Sequence, residues 1–267
     1  MTMQEPLTNT TDAANGAAPA PATPPPAASR DAAFWATDAG RLKVGEVPAG
    51  AVNINVEGRR VVGPLQGFGP MWQKTYSMRL EGVPVTPAAV IQNWKANFPT
   101  FWPKGNRFYP SITGIAPGEV ALLRLSVAGM PLSTGVMVLY ADDESFTLMT
   151  PEGHAFAGWI TFSAFAKDGA TVAQAQVLMR ANDPIYELGL RFGGHRAENN
   201  FWRHTISAVA ATYGVRGKVN TQVTCIDRRI QWRHARNLRQ NGMMLTVLYT
   251  AGAPFRLVAR PFRRSRR

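Results

Sequence analysis

The chain has four histidines, His154, His195, His204 and His234, and one cysteine, Cys225. These side chains most readily exchange protons, ligate metals or act as nucleophiles near neutral pH. Their spacing removes most of that chemistry. No HExxH pair and no cysteine–histidine grouping occurs, so no metal site is expected. Neither GxxxxGK[ST] nor a strand-flanked GxGxxG is present to cradle phosphates, and no GxSxG elbow to expose a nucleophilic serine. Cys225 and His234 lie in one stretch, but closeness in sequence does not make a dyad, and Cys225 reads as a free, unreactive thiol. No catalytic residue and no cofactor is expected.

Two groups of polar residues keep a functional reading. His195, Arg196 and Asn199 lie near the apolar stripe of a late helix, where they either anchor a ligand head group or face solvent if Gly193-Gly194 re-phases the helix. His154 and Glu152 occupy a turn before Trp159; the histidine either binds or gates a ligand, donates a proton in a cyclase-like reaction, or simply closes the turn. Arg124 and Arg180 fall on the polar alternations of their strands and are expected to point outward.

The elements that must position these groups follow from periodicity. A hairpin is expected from Val52, Ile54 and Val56 through Glu57-Gly58 to Val61 and Val62. A strand over 72–81 puts Trp72, Tyr76, Met78 and Leu80 on one face, with Lys74 among them, so that end is expected to be open. Thr86-Pro87 then starts a helix carrying Val90, Ile91, Trp94 and Phe98. Five strands follow, over 120–128, 133–141, 145–150, 158–165 and 171–181, separated by turn residues such as Pro151-Glu152-Gly153. Asp183-Pro184 opens a second helix, which Gly193-Gly194 should kink or divide. Its later part carries Trp202, Ile206, Val209, Ala210 and Tyr213 and ends at Gly214. Strand, helix, antiparallel meander and long helix is an α+β order in which the last helix covers the sheet and leaves an apolar pocket beneath it. Leu123, Leu125 and Val127 share one strand face, and Trp159, Thr161 and Phe165 another; Val136 to Leu139 leave their inward face ambiguous.

Gly67-Phe68-Gly69-Pro70-Met71-Trp72-Gln73-Lys74, Thr150-Pro151-Glu152-Gly153-His154, Gly158-Trp159-Ile160-Thr161-Phe162, Asn200-Phe201-Trp202-Arg203-His204 and the run from Asp227 to Asn237 resemble segments of a bacterial domain-of-unknown-function family related to the START-like (SRPBCC, helix-grip) superfamily. The resemblance extends from about Phe34 into the basic end. It implies a curved antiparallel sheet wrapped around a long C-terminal helix, and it carries no catalytic residue over to this chain. The set expected to contact a ligand is Trp72, Tyr76, Leu123, Leu125, Met137, His154, Trp159, His195, Asn199 and Trp202.

Charge divides the chain. Residues 214–267 hold 13 Lys and Arg against the single acid Asp227, while the preceding 213 residues balance at 16 of each sign. The expected organisation is a disordered Ala/Pro-rich leader over 1–33, an N-terminal hairpin arm over 34–66, the helix-grip domain over 67–215 and a basic helical extension and tail over 216–267. From Cys225 to Gln240 the spacing predicts a basic helix, with Arg228, Arg229, Arg233 and Arg236, and Arg263 and Arg264 further on, available to a polyanion. The apolar run Met243 to Tyr249 favours an anionic membrane surface over nucleic acid, unless that run packs back on the body. The first 29 residues have neither a basic n-region nor an apolar h-region, and no apolar stretch spans a bilayer, so the expected location is the cytoplasm, peripheral at the inner membrane face if the basic end docks. The expected function is binding of a small hydrophobic or lipid-like ligand, with a cyclase or isomerase using the same cavity, and a nucleic-acid-associated protein, as alternatives.

Overall fold

The side chain of Thr86 accepts a hydrogen bond from the Ala89 N–H at 3.2 Å, and Pro87 takes the first position of helix α1 (Pro87–Asn97). Val90, Ile91 and Trp94 are its buried residues. Asp183 repeats the device at helix α2 (Pro184–Gly189), its Oδ1 accepting from the N–H groups of Ile185 and Tyr186 at 2.9 and 3.1 Å. The computed structural model describes residues 32–127 and 129–252. The expected leader therefore lies almost wholly outside the described residues, as do Arg263 and Arg264. One widened turn, Leu190–Gly194, carries α2 into the long helix α3 (His195–Ala211). Gly193 has a φ of 99°, which a side chain would strain, so the glycine pair divides the two helices as the sequence indicates.

Eight strands form one antiparallel sheet. They are β1 (Met71–Leu80), β2 (Arg107–Tyr109), β3 (Val120–Val127), β4 (Met130–Ala141), β5 (Ser145–Met149), β6 (Phe156–Lys167), β7 (Ala170–Ala181) and β8 (Asn220–Asp227). Their order is β2-β3-β4-β5-β6-β7-β1-β8. Each strand from β2 to β7 lies beside its neighbour in sequence, and β1 returns to join β7. Helices α1 and α3 cover one face. There Trp94, Phe98, Phe146 and Phe162 pack edge-on or stacked at 4.7–6.2 Å, and Ile206 and Val209 of α3 complete the core. Over β3 and β4 the other face is also covered: Leu42 and Val56 pack on Val120, Leu122 and Met137.

The expected hairpin and the expected basic helix both require correction. The segment over 52–62 forms no hairpin ladder; Glu57-Gly58 does turn, but only single bridges, Arg41 with Arg60 and Val61 with Pro151, join it to its surroundings. Its apolar residues answer to the sheet they cover and not to each other. The basic segment is also not one helix. It is the edge strand β8, then a 3-10 helix (Trp232–Gln240), then α4 (Gly242–Ala251). β8 is an edge strand with no fully buried residue, and the positions it half-buries are Thr221, Cys225 and Asp227, so no apolar alternation marks it in the sequence.

This end packs on the body. Arg180, 1% exposed, is not outward-facing as expected: it donates to Asp227 Oδ2 at 2.5 Å and to the carbonyls of Gly69 and Arg229 at 2.6 and 2.9 Å. Asn237 donates to the carbonyls of Gln66 and Asn182, each at 2.9 Å, and the Gly242 N–H to the Gly153 carbonyl at 2.8 Å. Because β5 is short, the first half of β4 is left with an open edge, and α4 fills it. The Ser133 N–H donates to Thr246 Oγ1 at 3.1 Å, while Asn55 donates to the carbonyls of Ser133 and Gly242. Among the described residues no helix is long and apolar enough to cross a membrane.

Gly153 sits where this docking is tightest. Its φ is 85°, and a Cβ there would lie 2.2 Å from the Gln240 carbonyl oxygen. Gly153→Ala is expected to cost about 2 kcal/mol or more in urea unfolding and to speed protease cleavage between residues 228 and 252; unchanged stability and cleavage would show that the segment is not held there.

Candidate functional site

A cavity of about 970 Å³ lies between the helix-covered face of the sheet, the α2–α3 junction and α3. Inward alternation supplies its walls: Leu123 and Leu125 from β3, Val136 from β4, Leu148 from β5, Ile160 from β6, and Val177 and Met179 from β7. Leu188 and Phe192, both exposed, also line it, so the cavity opens at the widened turn between α2 and α3. Met243 of α4 closes another part of the wall, making the basic segment a structural member of the cavity.

Of the residues expected to contact a ligand, Leu123, Leu125, His154, Trp159 and Trp202 border the cavity. Trp159 does so only in part. It alternates with the inward Ile160, and its ring lies beside Gly63 on the opposite face. Thr161 and Phe165 share that outer side; the inward residues of β6 are Ile160, Phe162 and Ala164. Met137 does not reach the cavity, being buried under Leu42 and Val56. Because β4 is covered on both faces there, Val136 and Val138 could not be distinguished from Met137 by alternation. Arg228, Arg229, Arg233 and Arg236 are exposed and away from the cavity.

Trp72, Tyr76, His195 and Asn199 do not line the cavity either; they gather in a polar cluster beside it. The centre is Lys74, fully buried on the inward face of β1. Its Nζ pairs with Glu198 Oε2, donates to Asn199 Oδ1 at 3.0 Å and meets His195 Nδ1 at 3.2 Å. Tyr76 donates to Asn199 Oδ1 at 2.8 Å, and the Trp72 ring packs edge-on against His195 with centroids 4.8 Å apart. The strand end expected to be open is therefore closed, because α3 brings a carboxylate to the lysine. Sequence reasoning missed Glu198, although it stands four residues before Trp202 and eight before Ile206, on the same helical stripe.

Electrostatics follow from burial. Desolvation pushes the Glu198 carboxyl above the usual range, opposed by Lys74. Burial, with Lys74 alongside, lowers His195 to about 4. His154, buried in the turn before β6, is likewise lowered to about 4 by desolvation. Its Nδ1 lies 3.1 Å from the Phe156 N–H and 3.3 Å from the Phe156 carbonyl oxygen. Tyr76 and Tyr186 are both pushed up by burial, so neither ionises near neutral pH. Neither histidine has the near-neutral poise of an acid–base catalyst. Among the described residues no group of histidine, cysteine, aspartate and glutamate is placed to hold a metal.

With α1 and α3 on one face of an antiparallel sheet and a cavity between them, the architecture is decided. The fold is the helix-grip fold. No family model and no curated protein matches the chain. Solved structures with a similar arrangement include Ara h 8.0201, at 13% identity over 54% of this chain and 97% of that one, with a TM-score of 0.39. A START superfamily protein from Mycobacterium smegmatis is 18% identical over 55% of this chain and 98% of that one, with a TM-score of 0.37. The di-domain ARO/CYC StfQ from the steffimycin biosynthetic pathway is 11% identical over 54% of this chain and 52% of that one, with a TM-score of 0.43. The helix-grip assignment rests on the strand order and helix placement of this chain, and likenesses this distant say nothing of its ligand or activity.

His154 ties stability to pH. Its neutral form is favoured in the fold, so as pH falls below the usual 6.5 the unfolded chain takes up the proton first. Stability from this group is complete above pH 6.5 and is lost toward pH 4. Between pH 7 and pH 5 the loss from His154 is expected to be about 2 kcal/mol, with His195 acting in the same direction. His154→Asn, which keeps an acceptor for the Phe156 N–H, should flatten the urea-unfolding profile over that interval; a profile as steep as that of the parent would contradict it.

Proposed function

We propose that the protein binds a small hydrophobic ligand in the cavity between the sheet and α3. The observation that carries this reading is the cavity itself. Protein interiors pack to the density of organic crystals, and unfilled space larger than a few waters is uncommon in them. Here about 970 Å³ lies open among apolar side chains of five strands and three helices, within the size range of ligand pockets. Filling the space should abolish binding without harming the fold. Val136→Trp is expected to weaken binding of a neutral solvatochromic dye by about tenfold or more, as one ring displaces much of the contact volume. Dye binding unaffected by Val136→Trp, or absent from the parent protein, would remove the proposal.

A second reading concerns where the ligand is collected, and one observation favours it. Phe192, 82% exposed, and Leu188 stand at the opening, and Leu248 of α4 is 66% exposed. Arg233, Arg236 and Arg239 project from the preceding 3-10 helix. Exposed apolar groups and exposed arginines on one protein suit an anionic lipid surface, where each cation contributes about 1 kcal/mol. The protein should float with vesicles containing about one-third phosphatidylserine and not with neutral ones. Phe192→Glu should reduce flotation severalfold; equal flotation with both vesicle types, or none, would exclude this mode.

A further inference from the structure

We infer that the ligand is a neutral molecule with an apolar body and a hydroxyl group that donates to Glu198. This rests on the ligand-binding reading above and narrows it to a chemical class. Glu198 is the only acidic or basic side chain other than histidine in the cavity wall; no Lys, Arg or Asp lines it among the described residues. An anionic head group entering the cavity would meet a carboxylate and find no cationic donor. Lys74 cannot serve, because it is fully buried behind Glu198 and its three donors already face Glu198, Asn199 and His195.

A cationic head group fits no better. The charge of Glu198 is already matched by Lys74, so a second ammonium would stand beside the first in a desolvated wall. A neutral donor is what the carboxylate can still accept. It offers roughly four lone-pair positions. Oε2 faces Lys74, Oε1 takes a long contact from the Tyr76 hydroxyl at 3.5 Å, and the Trp202 side chain supplies one further donor. At least one position remains for a ligand hydroxyl, on a side chain that both lines the cavity and is held still by the polar cluster. Such a bond to an ionised acceptor is stronger than one between neutral groups.

The test uses three molecules that share one chain, dodecan-1-ol, dodecanoate and dodecylammonium, each displacing a neutral solvatochromic dye from the full-length protein at pH 7.5. The alcohol is expected to bind about tenfold or more tighter than either ion. Glu198→Gln leaves Lys74 without its counter-charge and should move the preference about tenfold toward dodecanoate. If that variant does not fold, the paired Lys74→Met and Glu198→Leu substitution removes both charges together, and alcohol and dodecanoate should then bind within about threefold of each other. Dodecanoate binding the parent protein as tightly as the alcohol would overturn the inference, as would a dye that binds but is displaced by none of the three. Failure of the dye itself to bind would instead count against ligand binding as a whole.

Discussion

The buried pairing of Lys74 with Glu198 constrains the rest of the helix-covered face. A lysine with no exposed surface is tolerable only if every proton on its ammonium has an acceptor, and α3 supplies all of them from Glu198, Asn199 and His195. Those residues span the first five positions of α3, so the pair fixes both the rotation of the helix and the strand position over which it begins. The glycine pair at 193–194 makes this possible, letting α3 take its own axis after α2. A buried ion pair adds little net stability, since desolvation offsets the attraction, but breaking it on one side is costly. Its effect here is to select one docking of helix on sheet.

That docking leaves the cavity. The aromatic cluster of Trp94, Phe98, Phe146 and Phe162 fills the space under α1, whereas farther along, toward the α2–α3 junction, the sheet presents Leu123, Ile160, Val177 and Met179 with less packed against them. Arg180 performs the corresponding task on the far side. By collecting Asp227 and the carbonyls of Gly69 and Arg229, it ties the start of β1 and the end of β8 to β7. The basic segment is thereby drawn into the fold, and its arginines, although exposed, are carried on an ordered surface.

How much of this was legible depended on whether a local rule was sufficient. Caps at Thr86 and Asp183, the turns between strands β3 to β7 and the period-two face of β1 were all readable, because each is decided by residues within a few positions of one another. Met137 was assigned to the wrong face because both sides of β4 are covered and alternation disappears. The end of strand β8, Cys225 to Asp227, was read as the start of a basic helix, and the β-branched run Thr221, Val223 and Thr224 before it was not recognised as an edge strand, being scarcely buried. Lys74 was correctly placed on the apolar face, but its consequence was inverted: an open end was expected where a partner was waiting 124 residues away.

The sequence by itself therefore determined the α+β order from β1 through α3 apart from the short β2, the division at Gly193-Gly194 and the apolar faces of β1 and β3, while the helix-grip class came from resemblance to a known superfamily. The elements follow from capping, turn chemistry and periodicity, which act over short stretches of chain. Only the tertiary structure decided which polar groups are buried together, that Arg180 turns inward, that α4 seals the open edge of β4, and that Glu198 is the charged side chain in the cavity wall. Those outcomes depend on desolvation and on partners far apart in sequence, and a buried charge has no meaning until the element carrying its counter-charge has docked.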